Sequence, residues 1–582
     1  MSDKNWKINK KPPKKFIEQF PEYSRLILQL LWDRKLRTQE AIDEFFNPDY
    51  NEDIHDPFLM KGMEKAVHRI KQALKDKQKI VVFGDYDADG VCGVAVLSET
   101  LKFLGADFSI YIPDRNKEGY GLNNKAIREI VKNKTNLIIT VDCGITDFEE
   151  IELANKLGVD VVIVDHHEVS QKIPRAVAIV NPRQKNETYP FKELAATGVA
   201  FKVVQALLRK YYLDKIQYKG WEKWLLDLVA IATVTDVMPM RGENRTLVKY
   251  GLVVLAQTKR KGLKELMNLA KIKPKINTKL LATNLDTYTL GFIIGPRLNS
   301  AGRIDHANTA YELLVTDSAR EAKKIAQNLN DKNYQRQKMT DRIIKEIEKK
   351  DKILQKRKII FEGSKEWPVG IVGLIAGRLA DKYYRPTIIF QEIKSISKGS
   401  ARSIPSFNII EAISQCRNLL DEFGGHPGAA GFTLSNKNLK NFENKLLKIA
   451  NKKLKSKDLI PALNIDIELM PEEINFNTYD EIQKLAPFGE GNLRPLFLLK
   501  KMKITNFRVV GKNCTHLKIY LKKEMDSGER NKTFEAIGFG FSGFCDKIKL
   551  GDELDVVFEL ITNEWNGTRE LQLKIVDLKK SV

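Results

Sequence analysis

The stretch Val161-Val162-Ile163-Val164-Asp165-His166-His167 runs four β-branched apolar residues into a carboxylate and two adjacent imidazoles. A short, wholly apolar run reads as a strand buried on both faces. Its C-terminal end is where open α/β sheets place their ligands. Two upstream runs end the same way. Ile80-Val81-Val82-Phe83 leads into Gly84-Asp85-Tyr86-Asp87-Ala88-Asp89-Gly90, and residues 137–141 lead into Asp142-Cys143-Gly144. In one parallel sheet these ends share an edge, so Asp85, Asp87, Asp89, Asp142, Asp165, His166 and His167 are expected to converge. Any one of these carboxylates reads equally well as a loop turn or a helix N-cap. Together they need cations, because crowded like charges raise each other's pKa. Carboxylate mixed with imidazole suits Mn²⁺, Fe²⁺ or Zn²⁺, and Mg²⁺ where water completes the shell.

The elements that would position these residues follow from patterning. Between about residues 60 and 240 strand and helix signals alternate, which predicts a doubly wound parallel sheet. Its strands are expected at 80–83, 108–112, 137–141, 160–164 and 177–180, with a first crossover helix over 91–104. An apolar helix over 224–234 would deliver Asp236 at its end. Ser318-Ala319-Arg320-Glu321 has the form of a capping box and opens a long polar helix reaching about residue 350, a connector between domains. A second α/β segment starts near Lys358, with strands near 358–361, 386–390 and 396–402 and a glycine-rich close at 423–431. Beyond about residue 455 short alternating strands predict a small β-barrel of the OB type. The N-terminus carries a basic segment over 7–15 and helical patterning to Asn47-Pro48. The expected class is therefore α/β. It divides into an N-terminal helical and basic segment (1–55), a doubly wound parallel-sheet domain (56–310), a connector helix (311–355), a smaller α/β domain (356–450) and a C-terminal β-barrel (451–582).

Composition narrows the partner. Among 582 residues, 97 Lys and Arg against 75 Asp and Glu give a formal charge of +22. Such an excess suggests a polyanion, most often nucleic acid, although a lysine-rich proteome gives the same balance. No run of 18 apolar residues spans a membrane, and the N-terminus lacks a signal peptide's apolar stretch. Five scattered cysteines, none in a CxxC pair, fit a reducing cytoplasm.

Asp87-Ala88-Asp89-Gly90 with Asp165-His166-His167 resembles the DHH phosphoesterase superfamily. Further segments narrow the likeness. Residues 112–121, including Arg115 and Tyr120, look like a second family loop. Gly295-Pro296-Arg297-Leu298-Asn299-Ser300-Ala301-Gly302-Arg303 is similar to a signature of the RecJ group, with Ser300 where alanine is usual. Gly399-Ser400-Ala401-Arg402 and Gly424-Gly425-His426-Pro427-Gly428 look like a DHHA1 domain, and residues 485–492 like the lead into the RecJ OB domain. The likeness covers about 40–575 in the family's order. It implies a 5′→3′ exonuclease specific for single-stranded DNA, using two Mn²⁺ or Mg²⁺ ions and releasing 5′-mononucleotides in repair and recombination.

The resemblance also implies roles. Asp87, Asp89, Asp142, His166 and Asp236 become metal ligands, with Asp142 as the candidate bridge, and His167 faces the scissile phosphate. Asp85 and Asp165 would orient ligands from behind, with Asp85 open to direct ligation. Arg115, Arg303 and Arg402 are candidates for holding phosphates, since a guanidinium fork matches phosphate oxygens. Ser400 stands two residues before Arg402 on the same strand face, so both can reach one group, by resemblance the 5′-terminal phosphate. His426 would add a donor from a glycine-rich loop. Two cations about 3.5–4 Å apart suffice for an in-line displacement, and no GxSxG-like nucleophile motif stands in the chain. Family habit adds a single-strand-binding protein and a helicase as partners, and a monomer is expected. The competing readings are a DHH phosphodiesterase on short oligonucleotides or cyclic dinucleotides, a family II pyrophosphatase, and a catalytically inactive DNA-binding scaffold. Chain length and the barrel argue against the first, the basic surface and third domain against the second, and the complete ligand set against the third.

Overall fold

The computed structural model describes residues 4–115, 117–212, 219–277, 282–523, 532–565 and 568–581. The chain divides into two compact units. One holds residues 49–455 with 489–491, and the other holds residues up to Pro48 with 456–488 and 492–582.

The larger unit contains a five-stranded sheet in the order Phe108–Tyr111, Ile80–Gly84, Leu137–Val141, Asp160–Val164, Ala178–Val180, with every pair parallel. Alternate side chains enter two cores. Val82, Ile139 and Val162 pack on one face, while Val81, Ile138 and Val161 pack on the other. That two-sided burial is why the strands read as unbroken apolar runs, each such side chain contributing roughly 1.5–3 kcal/mol. The strand order reverses between Ile80–Gly84 and Leu137–Val141. A doubly wound sheet opens its ligand crevice at that switch point, beyond the strands' C-terminal ends.

The connector helix runs from Ala319 to Glu348. Ser318 Oγ caps it by accepting from Glu321 N at 3.3 Å. The reciprocal half of the expected capping box does not form. Thr316 Oγ1 instead donates to the Glu321 carboxylate at 2.9 Å and accepts from Ser318 N at 3.2 Å, so it takes both groups. Along this helix Ala326 and Leu329 join the first core, and Ile343 and Ile347 join a separate core around Ile360, Leu379 and Ile389. That second core underlies a mixed sheet in the order Glu422–His426, Ala429–Ser435, Ile396–Arg402, Thr387–Ile393, Ile360–Ser364. The helix Val369–Tyr383 lies against it.

In the smaller unit Phe497–Val510, His516–Lys522, Thr533–Gly538, Thr568–Lys580 and Glu553–Trp565 pair in turn, and the last pairs back with the first to close a barrel. Phe534 lies in its core and Phe507 packs against it. Tyr520 instead hydrogen-bonds Glu535, with Lys518 beside its ring. Residues 1–55, expected from sequence as a segment of their own, divide at Pro48. Asn5–Ile8 pairs in parallel with Ala462–Ile465, and Phe16, Phe20, Leu26 and Leu31 share one core with Phe497 and Phe558. An amphipathic stretch carries no record of the distant strand it will cover, so patterning alone leaves it unassigned. Among the described residues no helix is long and apolar enough to cross a membrane.

Candidate metal centre and arginine cleft

The first three aspartates extend the sheet's own ladder. Asp85 N donates to Val141 O at 3.3 Å, Asp142 N to Val164 O at 3.1 Å, and Asp165 N to Val180 O at 3.1 Å. Strand register alone therefore sets Asp85, Asp142 and Asp165 side by side at the switch point. Asp142 has φ +63°, the left-handed region that Asp and Asn tolerate better than most residues.

Two helices bring the remaining acids. Asp87 is the N-cap of Ala88–Phe103, its Oδ1 accepting from Asp89 N at 2.9 Å and Gly90 N at 3.2 Å. A side chain at Gly90 would meet Asp85 O at 2.5 Å, so only glycine allows the loop and helix to approach this closely. The Asp89 carboxylate accepts from Ala196 N at 2.7 Å and Thr197 N at 2.8 Å, at the start of the helix Ala196–Tyr211, where the helix dipole favours negative charge. Asp236 closes the apolar helix Leu226–Thr235. The next residue, Val237, takes φ +58°, a strained conformation for a β-branched residue.

These side chains form three overlapping groups whose ligand atoms all lie within 4.8 Å of one another: Asp85, Asp87 and Asp142; Asp142, His166 and His167; Asp89, His166 and Asp236. Asp142 joins the first two and His166 the last two. His166 Nε2 lies 3.3 Å from Asp142 Oδ1, 3.6 Å from Asp236 Oδ2 and 3.9 Å from Asp89 Oδ2. Its Nδ1 is 3.1 Å from Leu194 O, which assigns the ring proton to Nδ1 and leaves Nε2 free as a ligand.

Asp165 is spent on orientation. Its Oδ1 accepts from His166 N, His167 N and, at 2.8 Å, His167 Nδ1, while its Oδ2 accepts from Ile145 N. Asp85, read from sequence as an orienting group or a ligand, lies in a ligand group and has a buried Oδ1 with no partner among the described residues. Asp142 Oδ1 and Asp236 Oδ2 are buried and likewise accept no hydrogen bond there, their neighbour His166 Nε2 carrying no proton. Burial, then the neighbouring acids, pushes the carboxyls of Asp85, Asp142 and Asp236 well above the usual range. Burial also lowers the His166 imidazole. Buried oxygens without partners, on acids that repel one another, are the donor set that divalent cations neutralise.

Opposite the acids stand arginines. Asp87, Arg115, Asp236 and Arg303 line one cleft of about 320 Å³. Arg115 lies over the Tyr86 ring, 4.9 Å from its centroid. The helix Gly295–Ile304 reaches the metal loop through Asn299, whose Oδ1 accepts from Ala88 N at 2.8 Å, and through Gly302, where a Cβ would stand 2.6 Å from Tyr86 O. The hydroxyl of Ser300, the departure from the family signature, donates to Arg297 O at 2.6 Å and is satisfied there.

Arg303 donates to Gly370 O at 3.1 Å, and Arg402 donates to Ser400 Oγ at 2.8 Å. Gly370 and Gly373 make these approaches possible. Added Cβ atoms would meet Arg303 O at 2.3 Å and Arg402 Nη2 at 3.2 Å. Burial, then the charges of Arg115 and Arg336, lowers Arg303 to about 9, with Asp87 opposing and Arg402 adding to the shift. Three guanidiniums thus bear on Arg303, and burial with the charge of Arg115 lowers Arg402 as well, so the site is short of negative charge and suited to phosphates.

His426 stands apart from this group. It aligns with Ala429, which aligns with Arg402, so it shares the sheet face two strands away, roughly 10 Å off. Its Nδ1 accepts from Gly428 N in its own loop.

Two contributors received no role from the sequence. Tyr120 Oη donates to Asp142 O at 2.9 Å and lies 3.3 Å from His167 Nδ1. Arg336 sits on the connector helix, held by Asn333. Tyr120 had two signals, its place in the loop after the strand beside the switch point and its place in the family-like segment 112–121. Arg336 had none, since it lies in a charged helix among many similar residues. A larger cavity, about 860 Å³, opens at the far end of the Ala88–Phe103 helix. Its Arg260 is already paired with Glu99 and Asp227, so the chemistry stays with the smaller cleft.

Known proteins share these domains and this fold. The DHH family N-terminal domain matches residues 79–233, the DHHA1 domain residues 355–456, and the RecJ OB domain residues 465–577. The single-stranded-DNA-specific exonuclease RecJ of Bacillus subtilis is 39% identical over 95% of this chain and 67% of its own length. That of Haemophilus influenzae is 31% identical over 89% and 91%. The crystal structure of Thermus thermophilus RecJ with Mn²⁺ superposes with TM-score 0.82 at 28% identity, covering 100% of this chain and 80% of that one. Its Mg²⁺ complex gives 0.76 at 26%, covering 99% and 79%. In sequence, domain order and fold alike, the chain belongs to the RecJ family.

Proposed function

We propose that this chain is a metal-dependent exonuclease that hydrolyses single-stranded DNA from the 5′ end, releasing 5′-mononucleotides. The observation that carries the reading is Asp142. One buried carboxylate, shared by two ligand groups and with an Oδ1 that accepts no hydrogen bond among the described residues, is the arrangement that holds two cations side by side. Asp87, Asp89, Asp142, His166 and Asp236 would hold them, with Asp85 as a further ligand on Asp142's strand edge. The relatives solved with Mn²⁺ and Mg²⁺ support these two metals. Bound there, divalent cations activate water near neutral pH and neutralise charge on the leaving oxygen.

The chain's own residues do the rest. Arg402 and Ser400 offer a donor fork and a hydroxyl on one strand face for a terminal phosphate. Arg303 and Arg115, on the cleft wall facing the acids, hold the following phosphate against the metal ligands. Asp165 fixes His167 through Nδ1, so Nε2 faces the reacting phosphate. A pocket for the 5′ phosphate at a set distance from the acids makes the enzyme count from an end. A chain threaded between acid and arginine walls favours single strands over duplex. Family membership alone supports a place in repair and recombination beside a single-strand-binding protein and a helicase, and a monomer in the cytoplasm.

The test is a time course on a long 5′-phosphorylated strand labelled at either end, with Mn²⁺, Mg²⁺ or EDTA, and with duplex and RNA controls. Early release of the 5′ label, from single strands and only with metal, is expected. Cleavage confined to dinucleotides or pyrophosphate, or binding without cleavage, would overturn the reading.

A further inference from the structure

Tyr288 and Phe292 are 59% and 69% exposed, and their rings stack with centroids 5.0 Å apart and planes 18° from parallel. Scattered surface apolar residues are ordinary. A stacked, exposed aromatic pair is not, and this one sits on a π-helical turn, Thr289–Ile294, a geometry that concentrates at functional sites. The turn runs directly into Gly295–Ile304, whose Asn299 and Arg303 line the metal cleft. Its inner side is clamped to the segment that carries a metal-group acid. Cβ atoms added at Gly291 and Gly295 would meet Val234 at 3.3 Å and Thr235 at 2.1 Å, the two residues before Asp236. The position of the aromatic pair is therefore tied to that of Asp236.

Phe292 and Asn299 are seven residues apart on one continuous helical run, Phe292 in its π turn and Asn299 in the α-helical segment that lines the cleft. A flat ring accepts any base by stacking.

We propose that Tyr288 and Phe292 form a base-stacking platform for the body of the single strand, on the turn that leads into the cleft wall. The inference rests on the exonuclease reading and adds a second holding point for the strand. The Arg402 pocket grips the terminal phosphate, and the platform grips bases that have not yet reached the acids. Such a grip accepts any sequence and requires unpaired bases, which makes the platform a specificity element for single strands.

The experiment compares wild type, Tyr288→Ala, Phe292→Ala, Phe292→Leu and Phe292→Trp. Binding of a labelled oligo-dT is followed by fluorescence anisotropy in EDTA. Cleavage of the long 5′-phosphorylated strand and of a 5′-phosphorylated dinucleotide is followed in Mn²⁺. Each alanine variant is expected to weaken strand binding and raise KM on the long strand roughly tenfold, with kcat little changed. The dinucleotide, too short to reach the platform, is expected to be cut as by wild type. Leucine should behave as alanine, because it keeps apolar bulk without a π face, and tryptophan should restore binding. An abasic nucleotide walked along the strand should weaken wild type at one position and leave Phe292→Ala unchanged there. Unaltered strand affinity in the alanine variants, or an equal loss on the dinucleotide, overturns the platform. A wild type that binds strands through these rings yet cuts nothing upholds the platform and sinks the exonuclease reading.

Discussion

His167 Nδ1 lies 2.8 Å from Asp165 Oδ1, and that carboxylate also accepts the backbone N–H groups of His166 and His167. Burial alone would lower the His167 imidazole, but the Asp165 hydrogen bond and charge outweigh it and raise the group to about 9. The same bond holds Asp165 below the usual carboxylate range, against the pull of burial. Asp165 therefore fixes which nitrogen of His167 faces the cleft. Asp165→Ala is expected to lower kcat roughly 10–100-fold, as loss of a ligand-orienting partner does elsewhere, with single-strand binding retained. Steady-state kinetics beside a binding titration checks this, and unchanged kcat would remove the positioning role.

Asp142 offers a sharper test through substitution by asparagine. Asparagine tolerates the left-handed backbone at this position, so Asp142→Asn removes charge without adding strain. Hydrolysis is expected to vanish while strand affinity stays near wild type. In EDTA the variant should melt above wild type, because one of the mutually repelling buried acids has become neutral. Wild type at a hundredfold excess of Mn²⁺ over its dissociation constant should gain about 2.7 kcal/mol. The variant should gain much less, and thermal melts with and without metal read both effects.

Arg402 and Gly373 should fail in the same way for different reasons. Arg402→Ala is expected to cost more on 5′-phosphorylated than on 5′-hydroxyl strands, since a charge-assisted hydrogen bond contributes about 1.5–3 kcal/mol. Gly373→Ala puts a methyl 3.1 Å from Ser400 Oγ and 3.2 Å from Arg402 Nη2, tight enough to displace the fork. It should raise KM for 5′-phosphorylated ends with little change in melting temperature. Comparing KM on the two kinds of end decides whether this fork holds the terminal phosphate.

Asp147 gives a pH dependence away from the metal ligands. It accepts from Leu122 N at 2.8 Å, and burial raises its carboxyl from 3.8 to about 6. Between those values the native state holds a proton that the unfolded chain has released. Stability therefore falls as pH rises from about 4 to about 6 and is level beyond, a loss of at most about 3 kcal/mol. Asp147→Asn keeps the acceptor and lacks the titration. The stability difference between the two proteins should shift across this window, and a flat difference would show that Asp147 titrates normally.

The sequence disclosed most where local chemistry and fold coincide. Buried parallel strands are short apolar runs, so Ile80–Gly84, Leu137–Val141 and Asp160–Val164 announce themselves, and the residue after each lies on one edge by geometry. Asp236 was reachable because an apolar helix ends on it. Asn299 and Arg303 came into view through the family signature, not through periodicity, because a polar face on a helix looks alike whether it meets solvent or a cleft. Tyr120, Arg336 and the Tyr288–Phe292 pair depend on which elements meet in space. The same is true of the strand Asn5–Ile8, whose partner lies hundreds of residues away.

That last pairing bears on how the protein is made. Asn5 meets Ala462, 457 positions later, and the core around Phe16, Phe20 and Leu31 is completed by residues up to Leu578. At ribosomal speeds of about 5–20 residues per second, the N-terminal helices wait roughly 20–90 s for their counterpart. The sheet bearing the acids, complete by Val180, emerges during that interval. The N-terminal apolar face is thus left bare through most of synthesis, a natural client for chaperones while the rest of the chain is still being translated.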